Sequence, residues 1–388
     1  MSENESHRAA AEARRAVAGP SAPLSRHDVA LQRYLGAVHL ASLQDTSLQD
    51  TSVQDTSVQD TDSWTVPAPP AATSVPVPGL SVVAPIEGAA DRAAVGPRTD
   101  LVVAGVDHSP HAYRAAVWAA AEAVHRHAAL RLVYAYSLPI AGYAGYSMAP
   151  HDLGNILRAE GAKLLRSIAG EIRVAHPDLE VQTRLFQGDA VVALRRESAR
   201  ARLTVVGSLG SGRVSGVLLG SIAMAITAHG TAPVAIVPAE GPGWATSGAV
   251  VVGADGSSTS EAALRFAFEE AAVRGTGLVA VHTWNPPRPA LVDVTSQQIT
   301  ALDESERLML SEELAGWRDK YPDVPVVQEV VRGRATPVLL SFARSAQLLV
   351  VGSRGRGGFA GMLLGSTSQS LISHAHCPVV VVRPDSLD

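Results

Sequence analysis

The stretch "VVGSLGSGRVSGVLLGSIAM", ending at Met224, returns as "VVGSRGRGGFAGMLLGSTSQ", ending at Gln369. Gly207, Gly210, Gly220 and Ser221 stand at the same spacing as Gly352, Gly355, Gly365 and Ser366. Further upstream, "GVDHS" answers "GADGS", with Asp107 and Asp255 148 residues apart, whereas Gly207 and Gly352 are 145 apart. The difference of three is one short deletion in the second copy. A chain that repeats landmarks in register over about 140 residues folds the same unit twice. Its 388 residues leave room for two such units and an extension.

Each copy alternates short apolar runs with helical stretches. "TDLVVAGVD" is a continuous apolar run, as expected of a strand buried on both faces. "SPHAYRAAVWAAAEAVHRH" follows, with Ser109 placed to cap a helix and Pro110 at its first position. Next come "LRLVYAYS", a helix around "NILRAEGAKLLRSIAGEIRV", "LEVQTRLFQ", "DAVVALRRESAR", "LTVVGS", "SIAMAITAHG" and "PVAIVP". The second copy restarts at "AVVVGADGS", with Ser258 and Glu261 at capping-box spacing, and ends at "CPVVVV". This order predicts βαβ units, that is, an α/β fold of two tandem domains, each a five-stranded parallel sheet with helices on both faces. The expected domains span 98–239 and 247–385, joined by a linker at 240–246. With 4% aromatic residues, their cores must be built from Val, Leu, Ala and Ile.

Residues 1–97 read as a mostly disordered arm. It holds the five-residue repeat "SLQDTSLQDTSVQDTSVQDT" from Ser42 to Thr61, then the Pro/Ala-rich "VPAPPAATSVPVPGLSVVAP". A period of five matches neither helix nor strand, so no face accumulates an apolar stripe. One stretch, "SRHDVALQRYLGAVHL", with Ser25 and Asp28 at capping-box spacing, reads either as a short helix that docks on a partner or on the body of the protein, or as a chance pattern in the arm. The amino terminus has no apolar signal region, and no apolar run approaches the roughly 20 residues of a membrane helix. One cysteine, Cys377, and a net charge of −5 fit a cytoplasmic protein that binds neither membrane nor nucleic acid.

The repeated glycine segment follows a strand and precedes a helix. It therefore lies at the carboxyl edge of a parallel sheet, where ligands of open α/β sheets bind. Glycines there permit positive φ and close approach to main-chain N–H groups. The helix start beyond the last glycine favours phosphate, and the Ser221 and Ser366 hydroxyls add a donor each. This is not a Walker A loop, because Lys163 and Lys320, the two lysines of the chain, are far from it. It is not the G-x-G-x-x-G fingerprint either, which follows the first strand of its unit. Asp107 and Asp255 close the first strands at the same edge, either to receive a ribose or an adenine amino group or to serve as turn residues.

Gly-x2-Gly-x9-Gly-Ser after the fourth strand, with an Asp closing the first, resembles the universal stress protein family. The resemblance implies an ATP site in each copy, with or without magnesium. By position, its base-contacting residues fall on Val106, Asp107 and Ala135, and on Ala254, Asp255 and Thr283. Its phosphate and ribose contacts fall on the glycines and serines already named, with Ile222 and Thr367 beside them. It also implies that the domains pair through their last strands, "APVAIVP" and "CPVVVV", inside one chain or between two chains as a homodimer. Ala223 stands where the second copy has Ser368, which makes the second site the fuller match.

The function implied is a nucleotide-responsive stress regulator acting on a protein partner that the sequence does not name. The competing reading is an enzyme, an ATPase or nucleotidyl transferase in the same cradle. It lacks a visible base, second-substrate pocket or metal ligands. Among other candidates, His374, His376 and Cys377 lack a second ligand pair for a metal, and "HRH" at 125–127 reads as a solvated helix end. Arg354 and Arg356 are either phosphate contacts or solvated loop charge.

Overall fold

The structure is a computed structural model that describes residues 80–83, 100–138, 150–210, 219–238, 247–285, 296–356 and 364–386. The pentapeptide repeat, the stretch at 25–40 and the linker at 240–246 lie outside the described residues. Ser81–Asp388 fall within one compact unit.

The first repeat runs β2 (Leu101–Gly105), α1 (Pro110–His125), β3 (Ala129–Tyr136), α2 (Pro150–Ala175) and β4 (Val181–Gln187). It continues through α3 (Ala190–Ser198), β5 (Leu203–Gly207), α4 (Ser221–His229) and β6 (Val234–Val237). The second follows with β7 (Val250–Ala254), α5 (Ser258–Arg274), β8 (Leu278–Trp284), α6 (Ser296–Lys320) and β9 (Val326–Arg332). Its last elements are α7 (Ala335–Ala343), β10 (Leu348–Gly352), α8 (Ser366–His374) and β11 (Val379–Val382). The linker composition before residue 98 contains one strand as well, β1 (Leu80–Val83), which lies beside β4 at the sheet edge.

All strands join one sheet in the order β1-β4-β3-β2-β5-β6-β11-β10-β7-β8-β9. Within β2–β6 and within β7–β11 every pairing is parallel. The seam between repeats is antiparallel, with Val379 opposite Ile236 and Val381 opposite Val234. Each last strand thus covers the edge the other would expose. The apolar runs are central strands: Val102, Val103 and Ala104 are fully buried. Helices α1 and α2 pack together, as do α3 and α4, which sets one pair on each face given right-handed crossovers.

Ser109 caps α1 as expected, its hydroxyl accepting from Ala112 N–H at 3.1 Å. The capping box expected at Ser258 and Glu261 is displaced by one residue. Ser257 is the cap, accepting from Ser260 N–H at 3.2 Å. The reason is the turn before it: Asp255 Oδ1 accepts the Ser257 N–H and hydroxyl, just as Asp107 Oδ1 accepts those of Ser109.

Two features lock the repeats together. On one face a single apolar core crosses the seam, from Val103, Leu194 and Ile226 to Leu349, Leu371 and Val379. On the other, the ends of α1 and α5 form a buried ring of charge. Arg126 pairs with Glu122 at 2.7 Å and with Glu270 across the seam, while Arg274 pairs with Glu270 at 3.0 Å and with Glu122. The carboxylates are 2% and 1% exposed, so the ring must be complete to offset their desolvation. The "HRH" segment is therefore only partly solvated: both histidines are exposed, but Arg126 turns inward.

Candidate functional site

In each repeat the strand order reverses beside the first strand, since β3 lies on one side of β2 and β5 on the other. Crossover loops leave such a switch point in opposite directions and open a crevice at the carboxyl ends. A cavity of about 280 Å³ occupies this place in the first repeat. One of about 310 Å³ occupies it in the second. Both are near the lower bound for small-molecule sites, about 300 Å³.

Every residue that the resemblance assigns to a nucleotide site lines one of them. Val106, Asp107, Ala135, Gly207, Gly210, Gly220, Ser221 and Ile222 surround the first cavity. Ala254, Asp255, Thr283, Gly352, Gly355, Gly365, Ser366 and Thr367 surround the second. Residues 211–218 and 357–363, the middles of the two glycine loops, lie outside the described residues.

The loops are pinned at both ends. Ser208 and Ser353 donate their N–H to Val237 and Val382 of the neighbouring strands, and their carbonyls accept the N–H of Gly220 and Gly365 at 2.7 and 2.8 Å. Gly220 and Gly365 are the caps of α4 and α8, and neither helix has a side-chain cap. First-turn N–H groups have no partner within their own helix, and here they border a cavity with the dipole's positive end.

The reason for glycine differs from the expectation of positive φ. Among the described glycines, positive φ occurs at Gly188, Gly248, Gly256, Gly275 and Gly333, and at none of the cradle positions. Space decides instead. A β-carbon at Gly207 would lie 3.0 Å from the His111 backbone, and one at Gly352 2.9 Å from the Thr259 carbonyl oxygen. At Gly210 and Gly355 it would meet Oδ2 of Asp107 at 3.1 Å and of Asp255 at 2.5 Å. Gly220 and Gly365 are different: φ is −71° and −73°, and a β-carbon would meet the described residues no closer than 3.5 and 3.4 Å. The described residues alone do not require glycine there.

Asp107 and Asp255 act as turn residues through Oδ1. Asp255 Oδ2 also accepts the Arg356 N–H at 2.9 Å, tying the second glycine loop to the end of β7. Ser368 lines the second cavity and also braces it. Its buried hydroxyl donates to the Gly352 carbonyl at 2.7 Å, a link that Ala223 cannot make. Arg354 lines the second cavity, but Arg356 reaches Met309 on α6, with Glu313 beside it. Burial raises the Glu313 carboxyl above its ordinary range, against the opposing pull of Arg356 and His282.

Sequence reasoning did not single out His108, Tyr134 and Leu209, which also line the first cavity, or Ser260, which lines the second. His108 and Tyr134 meet edge to face at 5.7 Å. The offset of 148 that relates Asp107 to Asp255 also relates Ser109 to Ser257 and would have found the true cap. The His374–Cys377 cluster is dispersed: His374 Nδ1 bonds the Ser370 carbonyl at 2.8 Å, while Cys377 is 2% exposed in the core. Burial pushes the Cys377 thiol up to about 12. Among the described residues no helix is long and apolar enough to cross a membrane.

The family model described as universal stress protein family matches the chain twice, over residues 99–238 and 247–383. Universal stress protein Rv1996 of Mycobacterium tuberculosis is 35% identical over 299 residues, spanning 73% of this chain and 94% of its own. Universal stress protein Rv2623 of the same organism is 37% identical over 300 residues, spanning 73% and 96%. A solved universal stress protein from Archaeoglobus fulgidus shares the fold, with a TM-score of 0.55 at 18% identity, covering 74% of this chain and 97% of that one.

Proposed function

This chain belongs to the universal stress protein family, and from that premise we propose that each repeat binds one adenine nucleotide, ATP with or without magnesium, and that the protein acts as a nucleotide-responsive regulator. The observation that carries this reading is the pair of helix caps. Among the described residues, Gly220 and Gly365 are held in a conformation any residue adopts, with room around them, at helix starts that no side chain caps. Ser, Asp or Asn at such a position would strengthen the helix. Glycine there keeps main-chain N–H groups open to an outside anion.

In this reading Ser221, Ile222, Ser366 and Thr367 receive phosphates with the cradle glycines. Val106, Asp107, Ala135, Ala254, Asp255 and Thr283 face base and ribose. The ligand would bridge the end of a first strand to the start of a fourth helix, so it favours the arrangement in which the two are correctly spaced. That difference in affinity between arrangements is what a partner would read.

The test is to purify the full chain from cells, denature it, and identify released nucleotide by chromatography, alongside Gly220→Asp, Gly365→Asp and the double variant. The expected result is close to two ATP per chain, one lost with each substitution. ADP in its place would favour the ATPase reading. Absence of any nucleotide, with no uptake of added ATP, would overturn both.

A further inference from the structure

We propose that the two cavities hold an adenine nucleotide differently: the second gains affinity from the phosphates beyond the first, and the first gains none. This rests on the reading of each cavity as an adenine nucleotide site. Position by position the frames are alike, yet the phosphate ends are not. Leu209 and Arg354 occupy the same place in the two glycine loops, 145 residues apart. Each lines its cavity. The Arg354 backbone is anchored, its carbonyl accepting the Thr259 hydroxyl at 2.6 Å, and among the described residues its guanidinium forms no ion pair. Beside Ser221 the first site has Ile222, where the second has the hydroxyl of Thr367.

At the base end the contrast runs the other way. His108 and Tyr134 give the first cavity an aromatic wall, whereas Gly256 and His282 stand at the matching positions of the second repeat and do not line its cavity. His282 is turned into the protein, held between the Ala254 carbonyl at 2.8 Å and Glu306 at 2.9 Å. Aromatic faces hold a base by stacking, and a guanidinium holds additional phosphate oxygens by charge-assisted hydrogen bonds. Among the described residues, the first site thus draws on the base and the second on the phosphates. Not every polar difference counts toward the ligand: Ser260 and Ser368 in the second site are committed to Asp255 N–H and the Gly352 carbonyl.

The experiment is calorimetric titration of nucleotide-free full-length protein with adenosine, AMP, ADP and ATP at about pH 8, where an ordinary histidine is neutral. Gly365→Asp isolates the first site and Gly220→Asp the second. At the second site ATP is expected to bind about tenfold or more tightly than AMP, and at the first site no more tightly than AMP. Exchanging the side chains, as Leu209→Arg with Arg354→Leu, should exchange the preferences. An equal ATP-to-AMP ratio at both sites, or an exchange that leaves the ratios unmoved, overturns the proposal while leaving two nucleotide sites standing. Loss of a strong ATP preference at the first site on Arg213→Leu would also overturn it, since that loop would then supply its own charge. No adenine compound bound at either site overturns the reading beneath it as well.

Discussion

Gly207 and Gly220 belong to one motif but are glycine for different reasons, and single substitutions separate them. A methyl group at 207 or 352 would press on the backbone of α1 or α5, at 3.0 and 2.9 Å. Gly207→Ala and Gly352→Ala should each cost about 1–3 kcal/mol, read as a lower denaturant midpoint at unchanged slope. Gly220→Asp should leave stability unchanged or raise it by a few tenths of a kcal/mol, while removing the bound nucleotide. A second residue-scale case is His127, at φ 51°, which stands 148 residues before Gly275, the cap of α5 at φ 60°. A side chain in this region is strained, so His127→Gly should stabilise the protein by roughly 0.5–1 kcal/mol in the same assay. The caps were legible in the sequence because capping is local. At Ser257 and Ser258 the residues are identical, and only the Asp255 turn selects between them.

Helices α1 and α5 carry the charge ring, and its energetics follow from burial. Breaking it by Arg274→Met leaves two buried carboxylates sharing the one remaining cation, Arg126, and should cost about 3–5 kcal/mol. Replacing all four members with apolar residues of similar volume should recover most of that loss, a contrast that equilibrium unfolding measures directly. The ring also sets an acid limit. Burial alone would raise the Glu122 carboxyl, but Arg274 and Arg126 outweigh it and hold the group below its ordinary range. A lowered folded pKa means the contribution is complete above the unfolded value of about 4.3 and is lost as pH falls through the folded one. Stability should therefore drop with acid below about pH 4, and Glu122→Gln should flatten that slope. None of this was legible beforehand. Glu122 and Arg126 are four apart on a helix, the spacing of an ordinary surface pair, and their partners come from the other repeat.

At the scale of the molecule, one sheet and one apolar core run through both repeats. The repeats should therefore unfold together: a single calorimetric transition with van't Hoff and calorimetric enthalpies equal. Ile236→Ala on β6, in a site 1% exposed, should cost about 2–5 kcal/mol. It should also speed global-limit hydrogen exchange in β8, far across the seam, whereas independent repeats would leave β8 unaffected. By itself the sequence determined that a unit occurs twice, that each is a parallel α/β sheet, and that the glycine loops and the two aspartates meet at one edge. Those properties depend on periodicity and on the order of neighbouring segments, which a linear text records. The tertiary structure decided that four of the six cradle glycines answer to space and none to φ, that Arg356 faces α6, that Glu122 is buried, and that the last strands meet inside one chain. Each of these is a distance between residues dozens to more than a hundred positions apart. Such distances exist only once the sheet closes and packs.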